Sequence, residues 1–216
     1  MRVTNIAMLQ GLCWTIIFFG AFQSGNGKAV AILLKHGSPQ EIQTKVQLER
    51  LLSEFDLQPW TFTQTVMIDQ TAIPHSSPVL TLHTRHLNSD DLLMSTYVHE
   101  QIHWFLDSRE SNAHLAEEDL EKVYPSVPVG YPDGADSQQA TYEHLIVCYL
   151  EMKADREILG EKRGTEVVRF WATDHYRWVY RTVLQDEQII GKVISKHRLQ
   201  IDLPRSFESR LTPRIE

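Results

Sequence analysis

Cysteine is almost absent from the chain: among 216 residues there are two, Cys13 and Cys148. Cys13 lies in an apolar N-terminal stretch and lacks the neighbouring residues of a lipoprotein box. If this stretch is removed during export, Cys148 is the one cysteine left and no intrachain disulfide can form. Stability must then come from packing and, where one binds, from a metal ion.

Basic residues are outnumbered by acidic ones. The chain has 21 lysines and arginines against 28 aspartates and glutamates, which gives a net charge of −7. A nucleic-acid-binding protein needs a basic face to neutralise phosphates. The sequence shows no such face, and we therefore expect no nucleic-acid partner.

Charged side chains are missing between Arg2 and Lys28. The apolar part, residues 6–22, is near the lower limit for a helix that spans a bilayer. Residues 29–31 read Ala-Val-Ala, an A-x-A cleavage pattern. We predict that residues 1–31 are a signal peptide or an N-terminal membrane anchor, with the cleaved signal favoured. The protein is then exported, periplasmic or secreted, and touches a membrane only through this segment if it is not cleaved.

Residues 32–216 have the length of one domain. Ser38 and the residues after it form a capping box, and the apolar spacing that follows predicts a helix over residues 39–55. Alternating patterns predict two strands, residues 60–69 and 78–87, paired antiparallel.

Helices dominate the rest of the predicted domain, because caps and apolar periodicity recur along it. The predicted order is a helix that begins after Ser89, an acidic helix over residues 112–123, a loop rich in proline and glycine over residues 124–136, a long helix ending at Gly160, two or three helices within residues 165–196, and an irregular tail from Leu203.

The first of these later helices carries an H-E-x-x-H motif, residues 99–103. Residues four apart lie on one helical face, so His99 and His103 can both bind one Zn²⁺ ion. Glu100 does not bind the metal in such motifs. It takes a proton from the zinc-bound water and delivers it to the leaving amine.

A catalytic zinc usually has three protein ligands, and the long helix offers candidates for the third. His144, Cys148, Glu151 and Asp155 share one face of it. Glu151 is the predicted ligand, because a carboxylate amid apolar residues is costly to bury unless it is paired or metal-bound. Asp155 is predicted to support a ligating histidine. Cys148 is more typical of a core residue, and His144 of a cleft-lining, packed or surface one.

"HEQIH", followed some fifty residues later by "EMKAD", resembles the gluzincin zinc metallopeptidases. The resemblance covers two helices, and it implies that His99, His103 and Glu151 are the ligands, Glu100 the catalytic residue and Asp155 the supporting aspartate. It also implies a small α+β zincin fold: a short antiparallel sheet, then the H-E-x-x-H helix and a second metal-ligand helix, then a helical C-terminal part.

Gluzincins commonly use a tyrosine or histidine to stabilise the oxyanion. "DHYRWVY" offers His175 and Tyr176, and Tyr142 is a further candidate, although aromatic clusters of this kind also serve packing.

The sequence thus predicts an exported zinc-dependent hydrolase, a peptidase acting on peptides or proteins, with an extended substrate paired to the strand at residues 78–87. The alternative is a zinc-stabilised binding or structural protein that has the same ligands and no turnover. Both need the metal, but only the enzyme needs Glu100.

Overall fold

The computed structural model describes residues 29–201 and contains one small β-sheet. Its strands are β1 (Ala31–Leu34), β2 (Thr65–Ile68) and β3 (Leu80–Leu82), in the order β1-β2-β3. Both strand pairs are parallel. The prediction of an antiparallel sheet is therefore wrong.

Two return paths make the sheet parallel. Helix α1 (Pro39–Glu54) carries the chain back from β1 to β2 as a strand–helix–strand crossover. Between β2 and β3 the chain runs back without a helix, along the outer side of β3, where His75 and Thr81 form an antiparallel bridge. β1 was not among the predicted strands, because it begins at the last residue of the segment read as a signal peptide or membrane anchor.

The helices confirm the predicted helical C-terminal part. Three of them follow the long helix, as predicted, although the first begins at Glu161, before the predicted start at residue 165. After α1 the helices are α2 (Asp90–Asp107), α3 (Glu110–Val123), α4 (Gln138–Leu159), α5 (Glu161–Asp174), α6 (Arg177–Gln185) and α7 (Glu187–Lys196), with short 3₁₀ helices at Gln58–Trp60 and Thr84–His86.

Helix α1 begins at the predicted cap. The Ser38 hydroxyl accepts the N–H of Glu41, and proline occupies the first turn. The buried Glu41 carboxylate accepts three backbone N–H groups, those of His36, Gly37 and Gln70. Because Gln70 lies two residues after the end of β2, this contact fixes the start of the return path to β3.

The outer edge of β1 is also partly occupied. The C=O of Ile32 lies on the side away from β2, since Ala31 and Lys35 donate to Gln64 and Ile68. Lys45 of α1 donates to this C=O at 3.0 Å.

Helix α4 lies at the centre of the helical part, in contact with α2, α3, α5, α6 and α7. Its central residues are apolar and almost fully buried. Their burial sets the rotation of α4, and so decides which of its polar side chains face α2. Within residues 29–201 no helix has the length and apolar character needed to cross a membrane.

Most of the predicted N-terminal segment, including Cys13, and the tail from Leu203 lie outside the described residues. The predicted N-terminal segment and the described part of the chain overlap at residues 29–31. Ala31 begins β1, and its N–H donates to Gln64 O at 2.7 Å. Cleavage after Ala31 would remove this hydrogen bond.

Candidate metal centre

Three histidines meet where α2 and α4 pack together. His99 and His103 come from α2, one turn apart, and His144 comes from the first half of α4. One ring nitrogen of each lies within 4.8 Å of those of the other two. The three rings are 5.1 to 5.6 Å apart, centre to centre. The residues that form this group could hold a metal ion.

Each of these rings has its Nδ1 within hydrogen-bonding distance of an oxygen atom. A C=O group and an ionised carboxylate can only accept, so in the neutral ring Nδ1 carries the hydrogen and Nε2 keeps its lone pair. Metal-ligating histidines show this arrangement, in which a hydrogen bond on one nitrogen orients the ring and leaves the other for the metal. The acceptors are Glu151 Oε2 for His99 at 2.8 Å, Glu143 Oε1 for His103 at 2.8 Å, and the C=O of Ala140 for His144 at 2.6 Å.

Glu151 belongs to a second group whose ligand atoms also lie within 4.8 Å, together with His99 and Cys148. Burial raises the pKa of the Cys148 thiol well above its usual value, so the thiol stays protonated in the metal-free protein. The Glu151 carboxylate already accepts hydrogen bonds from His99, from Ser95 Oγ at 2.5 Å and from Tyr180 OH at 2.8 Å. The assignment of Glu151 as the third ligand stays a prediction, and His144, whose ring lies 5.6 Å from that of His99, is a competing candidate.

Asp155 reaches the centre indirectly. Its Oδ2 lies 2.9 Å from Ser95 Oγ, and it contacts the ring of His99 only through Ser95 and Glu151. Ser95 has one hydroxyl hydrogen for two carboxyl groups, so one of them must supply a proton of its own. Burial raises the pKa of Asp155 well above its ordinary value, which makes Asp155 the protonated one. The Ser95 oxygen also accepts the indole N–H of Trp171 at 2.9 Å.

Replacing Ser95 by alanine should lower the free energy of unfolding by about 3 kcal/mol. The change removes a buried group that serves Glu151, Asp155 and Trp171, and each buried polar group left unpaired costs about 1–3 kcal/mol. Urea unfolding of the metal-free protein measures the loss. Thr96→Ala is the matched control, because the Thr96 hydroxyl bonds only to Leu92 O in its own helix. Equal losses in the two variants would contradict this role of Ser95.

Glu100 is buried beside the three histidines and lines the cleft that they face. Within residues 29–201 its carboxyl group has no hydrogen-bond partner. Burial raises its pKa to about 7, although the neighbouring His103 acts in the opposite direction. A carboxylate with a raised pKa and free oxygens can accept a proton from a bound water molecule.

The cleft has a volume of about 800 Å³, and both predicted oxyanion donors line it. The ring of Tyr176 lies 4.3 Å from that of His144, and His175 Nδ1 lies 2.9 Å from Asp174 Oδ2. Tyr142 lies elsewhere: its hydroxyl donates to Tyr124 O at 2.7 Å, so it serves the fold.

Tyr176 has a left-handed backbone, with φ 47° and ψ 40°, directly before α6. This conformation is costly for a residue other than glycine. The next two residues hold it in place, because the N–H groups of Arg177 and Trp178 donate to the C=O groups of Pro132 and Asp133 at 2.9 and 3.2 Å. The loop before α4 thus holds the backbone next to Tyr176 in place.

The strand position expected to bind an extended substrate is already occupied. β3 is fully buried, and His75 exchanges two backbone hydrogen bonds with Thr81, of 3.1 and 2.8 Å. Residues 71–76, which include His75, line the cleft instead of β3. Trp104 of α2 anchors them by donating to Ser76 O at 2.9 Å. A peptide in the cleft therefore meets this segment and not the β3 edge at Thr81.

Several residues of the centre were not among the site residues predicted from the sequence. Ser95 and Glu143 carried a signal: Ser95 lies one turn before His99 on the same face, and Glu143 precedes His144. Tyr180 and Trp171 reach Glu151 and Ser95 from later helices, and no local pattern indicates this contact.

No protein-family model matches the chain, and no curated protein or solved structure is significantly similar to it. The function must therefore be argued from the site itself.

Proposed function

We propose that the protein is a zinc-dependent hydrolase that cleaves peptide bonds. His99, His103 and His144 hold the metal, and Glu100 is the general base. The observation that carries the proposal is the convergence of three histidines, each with Nδ1 engaged, beside a buried glutamate whose carboxyl group has no hydrogen-bond partner within residues 29–201. Three nitrogen ligands and an open fourth position are typical of catalytic zinc.

A bound zinc ion supplies Lewis acidity, which makes a water molecule acidic near neutral pH and polarises a substrate carbonyl. The chain supplies the proton transfers. Glu100 accepts the proton of the attacking water and passes it to the leaving amine. The Tyr176 hydroxyl donates a hydrogen bond to the oxygen that becomes negatively charged. The loop before α4 holds the backbone next to this tyrosine in place.

Glu151 and Glu143 keep His99 and His103 in the tautomer and orientation that present Nε2 to the metal. Burial raises the pKa of Glu151 to about 7, while the hydrogen bonds from Ser95 and Tyr180 act in the opposite direction and favour the ionised form that accepts the His99 N–H. In this proposal Glu151 supports a ligand and does not itself bind the metal, which differs from the role that the gluzincin resemblance implies.

A peptide substrate is supported by the H-E-x-x-H motif and by a cleft large enough for several residues. The uncharged N-terminal stretch supports an exported location. The peptide substrate and the exported location are both parts of the proposal.

Zinc content and peptide cleavage, measured on one preparation, test the proposal. We expect about one zinc per chain by elemental analysis after purification without chelators. We also expect cleavage of members of a quenched-fluorescent peptide library. A protein that neither holds nor takes up zinc would overturn the site, whereas one zinc without cleavage would favour the non-catalytic alternative.

A further inference from the structure

Seven histidines line the cleft, and His86 differs from the other six. It lies at the end of the 3₁₀ helix Thr84–His86, between β3 and α2, and only 8% of its surface is exposed. Its ring packs edge-on against Trp171 at 5.3 Å. Within residues 29–201 its side chain has no hydrogen-bond partner. The other six have Nδ1 engaged: His75, His83, His99, His103, His144 and His175.

The ring nitrogens of His86 are not among the fully buried polar atoms that lack a partner, so they keep access to the cleft and can bind a ligand there. Burial, followed by the charge of Arg85, lowers the pKa of His86 to about 4. The ring is therefore neutral near pH 7 and offers one N–H donor and one nitrogen acceptor. Arg85 is paired with Asp174, so the surroundings of His86 carry little net charge.

His86 and the metal histidines belong to one wall of the cleft. A row of rings links them: His144 contacts Tyr176 at 4.3 Å, Tyr176 contacts His175 at 5.0 Å, His175 contacts Trp171 at 5.1 Å, and Trp171 contacts His86. A substrate extended along this wall from the metal reaches His86 with a part remote from the reacting bond.

We propose that His86 is a substrate-binding residue, whose imidazole hydrogen-bonds a neutral polar group of a peptide, a backbone amide, away from the cleaved bond. A neutral ring with one donor and one acceptor matches an amide, which also has one of each, better than a carboxylate or an ammonium group. This inference rests on the proposed hydrolase function and adds where the substrate lies and which of its groups is recognised.

The test compares His86→Phe with His86→Gln. Phenylalanine keeps the ring contact with Trp171 and removes both hydrogen-bonding atoms, whereas glutamine keeps a donor and an acceptor. With the fastest-cleaved library peptide, His86→Phe should lower kcat/KM about tenfold or more, mainly through KM, because a remote contact binds substrate and transition state alike. His86→Gln should recover most of the loss. His83→Phe is the control, since His83 lines the same cleft and already accepts the N–H of Arg85.

Thermal unfolding without substrate gives a second readout that needs no activity. His86→Phe should melt near the wild-type temperature, because the imidazole has no hydrogen-bond partner within residues 29–201 and phenylalanine keeps the ring contact with Trp171. Zinc content should be unchanged in all variants. A melting temperature several degrees below wild type would overturn the proposal, and so would an unchanged kcat/KM or a loss in kcat alone. If the wild type holds zinc and cleaves no peptide, the proposed function fails, and the melting comparison still decides whether the fold uses the imidazole.

Discussion

Glu100→Gln should keep zinc and the fold and lose hydrolysis by about ten-thousand-fold. Glutamine has the same shape and lies in the same buried position, but its amide cannot accept the proton of the attacking water. General acid–base assistance contributes about a hundred- to ten-thousand-fold. Here one residue serves both the water and the leaving amine, so the loss should lie at the upper end. Steady-state cleavage of a library peptide by zinc-loaded protein measures it.

Glu143→Gln is the matched control for this experiment. It also removes a carboxylate beside the centre, but Glu143 bonds to His103 Nδ1 and takes no part in the proposed proton transfer. At saturating zinc its kcat should fall far less than that of Glu100→Gln. Equal activity of Glu100→Gln and wild type would show that Glu100 is not the base.

His144→Ala should lose zinc binding, whereas Glu151→Gln should weaken it only about 10- to 100-fold, as is usual when a partner of a ligating histidine is changed. The first variant removes a ligand, and the second leaves all three histidines in place. Competition with a chelator of known zinc affinity measures both. If Glu151→Gln loses the metal and His144→Ala binds it with wild-type affinity, the third ligand is Glu151, as the sequence predicted.

The sequence could predict both helices of the centre, because their caps and apolar periodicity are local properties. α4 begins after Ser137, whose hydroxyl accepts the Ala140 N–H, and ends before Gly160, as predicted. The sequence could not show which turn of α4 meets the two histidines of α2. Spacing places His144 and Glu151 two turns apart, yet the ring of His99 contacts both of them, with Glu151 at Nδ1. That contact depends on how the two helices pack, which no local pattern encodes.

The sheet was mispredicted for a related reason. The patterns at β2 and β3 show that strands exist, but strand direction depends on the chain between them. Residues 69–79 contain no helix, and yet they return alongside β3 far enough to restore the parallel direction. This return path is shown by the pairing of His75 with Thr81, which is a tertiary contact and not a local property of the sequence.

At both outer strands of the sheet, some backbone groups that could pair with another chain already have hydrogen-bond partners, and this affects self-association. An unpaired strand edge is a template on which another chain can add a strand, which is a common start of aggregation. In this sheet the Ile32 C=O already accepts a hydrogen bond from Lys45, and both backbone groups of Thr81 are paired with His75. A second copy cannot pair with Thr81 unless it first displaces residues 71–76, so the short sheet is protected against growth at the edge nearest the cleft.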